Sequence, residues 1–144
     1  MKIAIVGATG LVGTNIINLC EQYFDVGVEY SLFASKSSEG KKIKIHDKEI
    51  TVKELNKENI GEYNISLFSA GGERSKDYAP NFIDNGSFVI DNSSVFRMND
   101  EVPLVVYGIN ENIITKESKL ISNPNCTTMA VSYTHLTLPT TWSV

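Results

Sequence analysis

The sequence predicts an α/β fold with a doubly wound, mostly parallel sheet. Three observations carry this. Short apolar runs of the buried-strand type alternate with amphipathic stretches of helical length. A glycine-rich turn joins the first such pair. No internal repeat breaks the alternation.

The elements follow in order. Lys2-Ile3-Ala4-Ile5-Val6 reads as a buried parallel strand. An amphipathic helix follows from Leu11 to Tyr23, and Cys20 falls in register with Leu11, Ile16, Ile17 and Leu19 as a core thiol. Tyr30 to Ala34 is a second strand, and Ser35 to Lys42 reads as polar and flexible. Ile43, Ile45, Ile50 and Val52 alternate around His46-Asp47-Lys48-Glu49, the pattern of a small hairpin. Ile65 to Ser69 is a buried strand ended by Gly71-Gly72. A helix from Arg74 to Asn85 is closed by Gly86. Phe88-Val89-Ile90, Leu104-Val105-Val106 and Leu120-Ile121 complete the strands.

Composition bounds the function. At 144 residues the chain is about one domain long and can bury a core. A net charge of −4 with no basic block gives nucleic acid no electrostatic footprint. No apolar run approaches the roughly 20 residues that span a bilayer. Met1 leads directly into a strand pattern rather than a signal peptide, so a cytoplasmic protein is expected. Two cysteines in different contexts do not make a disulfide framework, and no metal is expected.

Gly7-Ala8-Thr9-Gly10-Leu11-Val12-Gly13 spaces its glycines as G-x-x-G-x-x-G, after a strand and at the start of a helix. Glycines there let the backbone approach a pyrophosphate, and the helix N-terminus offers unpaired N–H groups. A tight turn without a ligand is the plainer alternative. The second strand of such Rossmann-like domains normally ends in an acid that reads the ribose 2′-hydroxyl. Here that place is Ala34-Ser35-Lys36-Ser37-Ser38. Hydroxyls and a cation suit a 2′-phosphate better, which favours NADP over NAD, although Lys36 also reads as a solvated loop lysine.

The second signal is Asn123-Pro124-Asn125-Cys126-Thr127-Thr128. A free thiol titrates at about 8.5, and a helix N-terminus favours its thiolate. Cys126 falls where a helix starts after Pro124, and Asn125 can offer an amide to an oxyanion. Taken alone, the cysteine reads as inert and buried; beside a dinucleotide turn it reads as a nucleophile. Ser93-Ser94-Val95-Phe96-Arg97 follows a strand end, where parallel sheets bind ligands. The Arg97 fork suits phosphate or carboxylate, or a surface salt bridge.

With these motifs and Tyr78-Ala79-Pro80, Asp91-Asn92 and Val102-Pro103, the chain resembles the N-terminal half of the aspartate-semialdehyde dehydrogenases over almost all of residues 1–130. The resemblance implies reversible reduction of aspartyl phosphate to aspartate semialdehyde by NADPH through a cysteine thioester, in lysine, methionine and threonine biosynthesis. It makes Cys126 the nucleophile, with Arg97 and Asn125 on the phosphate. Gly7, Thr9, Gly10, Leu11, Val12, Lys36, Ser37, Ser38, Ser69, Ala70 and Gly71 would hold NADP. Where this sequence has Ser37, the family often has an Arg. It also implies a homodimer or homotetramer acting on small molecules, and a second domain supplying a catalytic His, a Gln and an Arg. No residue here replaces these, so the chain as it stands is expected to be inactive. Two rivals stand beside this reading. The related N-acetyl-γ-glutamyl-phosphate reductases share the two-domain plan, but residues 91–97 argue against them. A non-catalytic dinucleotide sensor would leave Cys126 and Arg97 without purpose.

Residues 131–144 read differently. They hold no Lys, Arg, Asp or Glu and include the only Trp, with Pro139 interrupting any helix. The first ten resemble one translated frame of a transposase-adapter DNA used in sequencing libraries. Residues 1–130 are therefore read as an incomplete NADP-binding domain and 131–144 as a non-native tail. The tail is expected to sit loosely, and His135 and Trp142 carry no functional weight.

Overall fold

The computed structural model describes residues 1–136. Among them, six strands form one sheet in the order β5-β2-β1-β6-β7-β8. These are β1 (Lys2–Val6), β2 (Glu29–Ala34), β5 (Lys53–Glu54), β6 (Ile65–Phe68), β7 (Phe88–Asp91) and β8 (Leu120–Ser122). Every pairing is parallel. Helices are α1 (Leu11–Tyr23), α2 (Gly72–Asp84) and α3 (Cys126–Leu136), and β3 (Lys42–Ile45) pairs with β4 (Lys48–Thr51) as an antiparallel hairpin. In chain order the sheet runs third, second, first, fourth, fifth, sixth, so its direction of growth reverses between β1 and β6. Ligands of doubly wound sheets bind at such a switch point.

The period of two along β1 divides the core. Ile3 and Ile5 face a cluster with Ile17 and Cys20 of α1, Leu32, and Ile45 and Val52 from the hairpin region. Ala4 and Val6 face Phe33, Phe68, Ala79 and Phe82 on the α2 side. Phe82 meets Phe33 and Phe68 edge-on, at 5.7 and 5.2 Å between ring centroids. Within α1 the buried stripe is Gly13, Ile17 and Cys20, spaced four and three apart. Leu11 and Leu19, expected in the same register, are exposed.

Other differences have local causes. Ser35 to Lys42 is not loose. Lys36–Ser38 forms a 3-10 turn, and Gly40 and Lys41 exchange backbone bonds with Val52. The hairpin turn is only His46-Asp47, with His46 at φ 52, the left-handed backbone that a two-residue loop demands. Helix α2 starts two residues early, because Gly71 at φ 88 turns the chain and its carbonyl accepts Ser75 N at once. Its end is a Schellman closure, Gly86 N to Ile83 O and Ser87 N to Phe82 O. Leu104-Val105-Val106 makes only an isolated bridge at Leu104. Val106 N turns instead to Asn110 Oδ1 at 2.7 Å, which draws the chain off the ladder.

Helix α3 continues past Ala130, contrary to expectation. Ser132 Oγ donates to Thr128 O, Thr134 Oγ1 donates to Val131 O, and the Tyr133 hydroxyl donates to Tyr107 O. Helix α3 runs on without a packed face, since none of its residues is buried. Pro139 and Trp142 lie outside the described residues.

Candidate dinucleotide and cysteine site

The switch point holds a cleft of about 190 Å³ lined by Gly7, Thr9, Gly10, Ser69 and Ala70, with Ala34, Ser35, Leu55 and Arg74. Close packing explains two glycines. A Cβ at Gly7 (φ 89) would lie 2.8 Å from the backbone of Ser69, and one at Gly13 only 2.1 Å from Gly7 O. Gly10 differs: a Cβ there would meet only Gly7 O, at 3.4 Å, so its open side faces the cleft. Gly10 caps α1 without a side-chain bond, and the first turn carries no acid. The first N–H groups of α1 are thus left for an anion, and the residues fit a dinucleotide pyrophosphate. Leu11 and Val12 are exposed at the helix start.

The loop after β2 closes over this turn. Thr9 Oγ1 donates to Ser38 Oγ at 3.3 Å, and Ser38 is buried. Ser35 and Ser37 pair through their hydroxyls at 3.0 Å. Lys36 and Ser37 are exposed and do not line the cleft. The ammonium that reaches Ser38 belongs to Lys41, at 3.3 Å, which sequence reasoning missed. Gly71 lies in an adjoining depression with Ala70 and Arg74 rather than in the cleft itself. Arg74 was also missed, although an Arg three residues beyond the Gly71 turn was a usable signal.

The cysteine end lies on the same C-terminal edge, beyond β7 and β8. Cys126 is free, exposed and the first residue of α3. Asn125 caps that helix, its Oδ1 accepting from Thr127 N at 2.9 Å, and the Cys126 thiol approaches the same oxygen at 3.6 Å. With Oδ1 so engaged, the amide Nδ2 is the half of Asn125 suited to an anion. Arg97 is half-buried: Nε donates to Asn123 O at 2.8 Å and Nη2 to Asn92 O at 3.1 Å. A guanidinium has five N–H donors, so these bonds hold the fork while leaving most of it for a ligand. Asp91, fully buried, accepts from Ser75 Oγ and Ser93 Oγ at 2.6 Å each. No local pattern announced Ser75 as its partner. Among the described residues, no group of His, Cys, Asp or Glu could hold a metal ion.

The chain matches the family model described as semialdehyde dehydrogenase, NAD binding domain, over residues 2–117, which stops short of Cys126. It is 47% identical over 131 residues to an aspartate-semialdehyde dehydrogenase of Aquifex aeolicus, covering 89% of this chain and 38% of that protein. The Bacillus subtilis protein of the same name is 41% identical over 130 residues, with 90% and 37% covered. The structure of aspartate semialdehyde dehydrogenase II from Vibrio cholerae, complexed with ASA, aligns at TM-score 0.84 and 37% identity, over 91% of this chain and 44% of that one. The chain therefore spans less than two fifths of the length of these curated relatives.

Proposed function

The chain belongs to the semialdehyde dehydrogenase family, and on that premise we propose that it is the cofactor-binding part of an aspartate-semialdehyde dehydrogenase. Cys126 is the nucleophile. Its thiolate attacks the acyl carbon of aspartyl phosphate, a C–S bond forms, and the C–O bond to phosphate breaks. When bound, the reduced dinucleotide supplies the hydride that converts the thioester to aspartate semialdehyde, and the C–S electron pair returns to sulfur. Arg97 and Asn125 hold the phosphate. The cytoplasmic parent enzyme works as a homodimer or homotetramer on these small molecules.

NADP is the preferred dinucleotide. Ala34 to Ser38 contains no carboxylate, and Ser35, Lys36, Ser37, Ser38 and Lys41 offer hydroxyls and cations there. Thr9, Gly10, Leu11 and Val12 hold the pyrophosphate, and Ser69, Ala70 and Gly71 the nicotinamide side. Residues 1–130 are an incomplete NADP-binding domain, and 131–144 take no part in its function.

One observation carries this reading: Arg97 is bonded to Asn123 O, three residues before an exposed Cys126, on the sheet edge that holds the dinucleotide cleft. The test restores the reading frame downstream of Ala130 and assays the full-length protein. It should oxidise aspartate semialdehyde only with both NADP and inorganic phosphate. Well-folded protein without that activity rules the proposal out.

A further inference from the structure

Asp91 ends β7, the strand beside the outermost β8, and its side chain is wholly buried. A carboxylate there is costly unless it is hydrogen-bonded. Oδ1 accepts from Ser75 and Oδ2 from Ser93, each at 2.6 Å, lengths usual for a hydroxyl donating to a carboxylate. Its main-chain oxygen accepts from Asn123 N at 2.8 Å. Ser75 lies in the first turn of α2, tied to Gly71 O, and adjoins Arg74 in the wall of the dinucleotide cleft. Ser93 follows Asn92, whose carbonyl accepts from Arg97, and its hydroxyl also accepts from Val95 N. Asn123 carries the other Arg97 contact and leads to Cys126.

We infer that Asp91 is a positioning residue that couples the dinucleotide cleft to the Arg97 and Cys126 loops, an inference that rests on reading Cys126 as the nucleophile. An apolar residue would fill the volume. The carboxylate also fixes direction, because each of its two oxygens orients one hydroxyl. Loosening either arm displaces a different part of the site. The Ser93 arm sets the loop that presents Arg97, and the Ser75 arm sets the start of α2 beside the cofactor.

The full-length enzyme carries the test, with melting temperatures to confirm folding. Asp91→Asn keeps the shape but turns one acceptor into a donor, and should lose about a hundredfold in kcat/KM through misplacement of the loops. Ser93→Ala should raise the KM for inorganic phosphate about tenfold and leave NADP affinity unchanged. Ser93→Thr restores the hydroxyl and should restore the phosphate KM. Ser75→Ala should weaken NADP binding several-fold with the phosphate KM unchanged. A merely structural Asp91 would lower the melting temperature without this split. Should Asp91→Asn fail to fold, the serine variants decide, and parental kinetics in both would overturn the inference. A folded but inactive parent overturns this inference together with the nucleophile reading. An active parent with indifferent variants overturns the coupling alone.

Discussion

The two ends of the site share one sheet edge but are built by different forces. At the dinucleotide end, backbone lies against backbone. Gly7 packs on Ser69 and Gly13 on Gly7, with no room for a Cβ at either. At the cysteine end the chain is held by polar bonds, from Asp91, Arg97, Asn110 and Asn125. There Met98 and Tyr107 are 92% and 80% exposed, and α3 buries none of its residues. Steric fit completes the first end from residues at hand. Directed hydrogen bonds set the second in place but leave its thiol and apolar side chains uncovered.

The sharpest way to separate the ends is to remove the thiol. Cys126→Ala in the full-length protein should lower turnover by at least about 10⁴-fold, as removing a nucleophile does elsewhere. NADP affinity by titration calorimetry should stay within about twofold, because Cys126 does not line the dinucleotide cleft. Turnover close to parental would remove Cys126 from the chemistry.

Thiol reactivity compares the ends without any mutation. Cys20 is 4% exposed, and burial pushes its thiol up from the ordinary value, so it resists alkylation at neutral pH. Cys126 is exposed. Iodoacetamide at pH 7.5 should label Cys126 at least about a hundredfold faster than Cys20, with the rates converging in denaturant. Equal native rates by peptide mass spectrometry would mean that the α1 core opens readily.

Stability should be asymmetric. Gly13→Ala must displace backbone and should cost about 3 kcal/mol or more in denaturant unfolding, with loss of dinucleotide binding. Asn125→Ala removes a helix cap and should cost only about 1 kcal/mol. A reversed order would show that the cysteine end, not the glycine turn, anchors the domain.

Cofactor choice is a finer probe. Lys36→Ala should weaken NADP about fivefold and leave NAD unchanged, as befits an exposed cation. Parental protein that binds NAD more tightly than NADP would refute the preference. The smallest effect concerns residues 131–144. Truncating this chain after Ala130 should leave its melting temperature unchanged within about 1 °C, since residues 131–136 bury no side chain. A large drop would show that Tyr133 and its bond to Tyr107 matter to the fold.

Much of this molecule follows from short-range pattern alone. The runs 2–6, 65–69 and 88–90 specify buried strands, because parallel strands covered on both faces are mostly apolar. The bounds of α1 coincide with the amphipathic stretch from Leu11 to Tyr23. Gly7, Gly10 and Gly13 announce the dinucleotide turn: only glycine tolerates the backbone contact at Gly7 and Gly13, and Gly10 leaves its cleft side open. Cys126 at a helix start was legible from Pro124 before it and the helix formers after it. Tertiary structure alone decided the rest. Lys41 rather than Lys36 reaches Ser38, Arg97 spends two donors on Asn92 and Asn123, and Asp91 gathers Ser75 and Ser93. Residues 104–106 read as a strand but form a bridge, because Asn110 competes for Val106 N. The physical reason is common to these cases. Periodicity and backbone sterics act between near neighbours in sequence, whereas a polar side chain finds its partner only after the sheet has set which strand ends lie side by side.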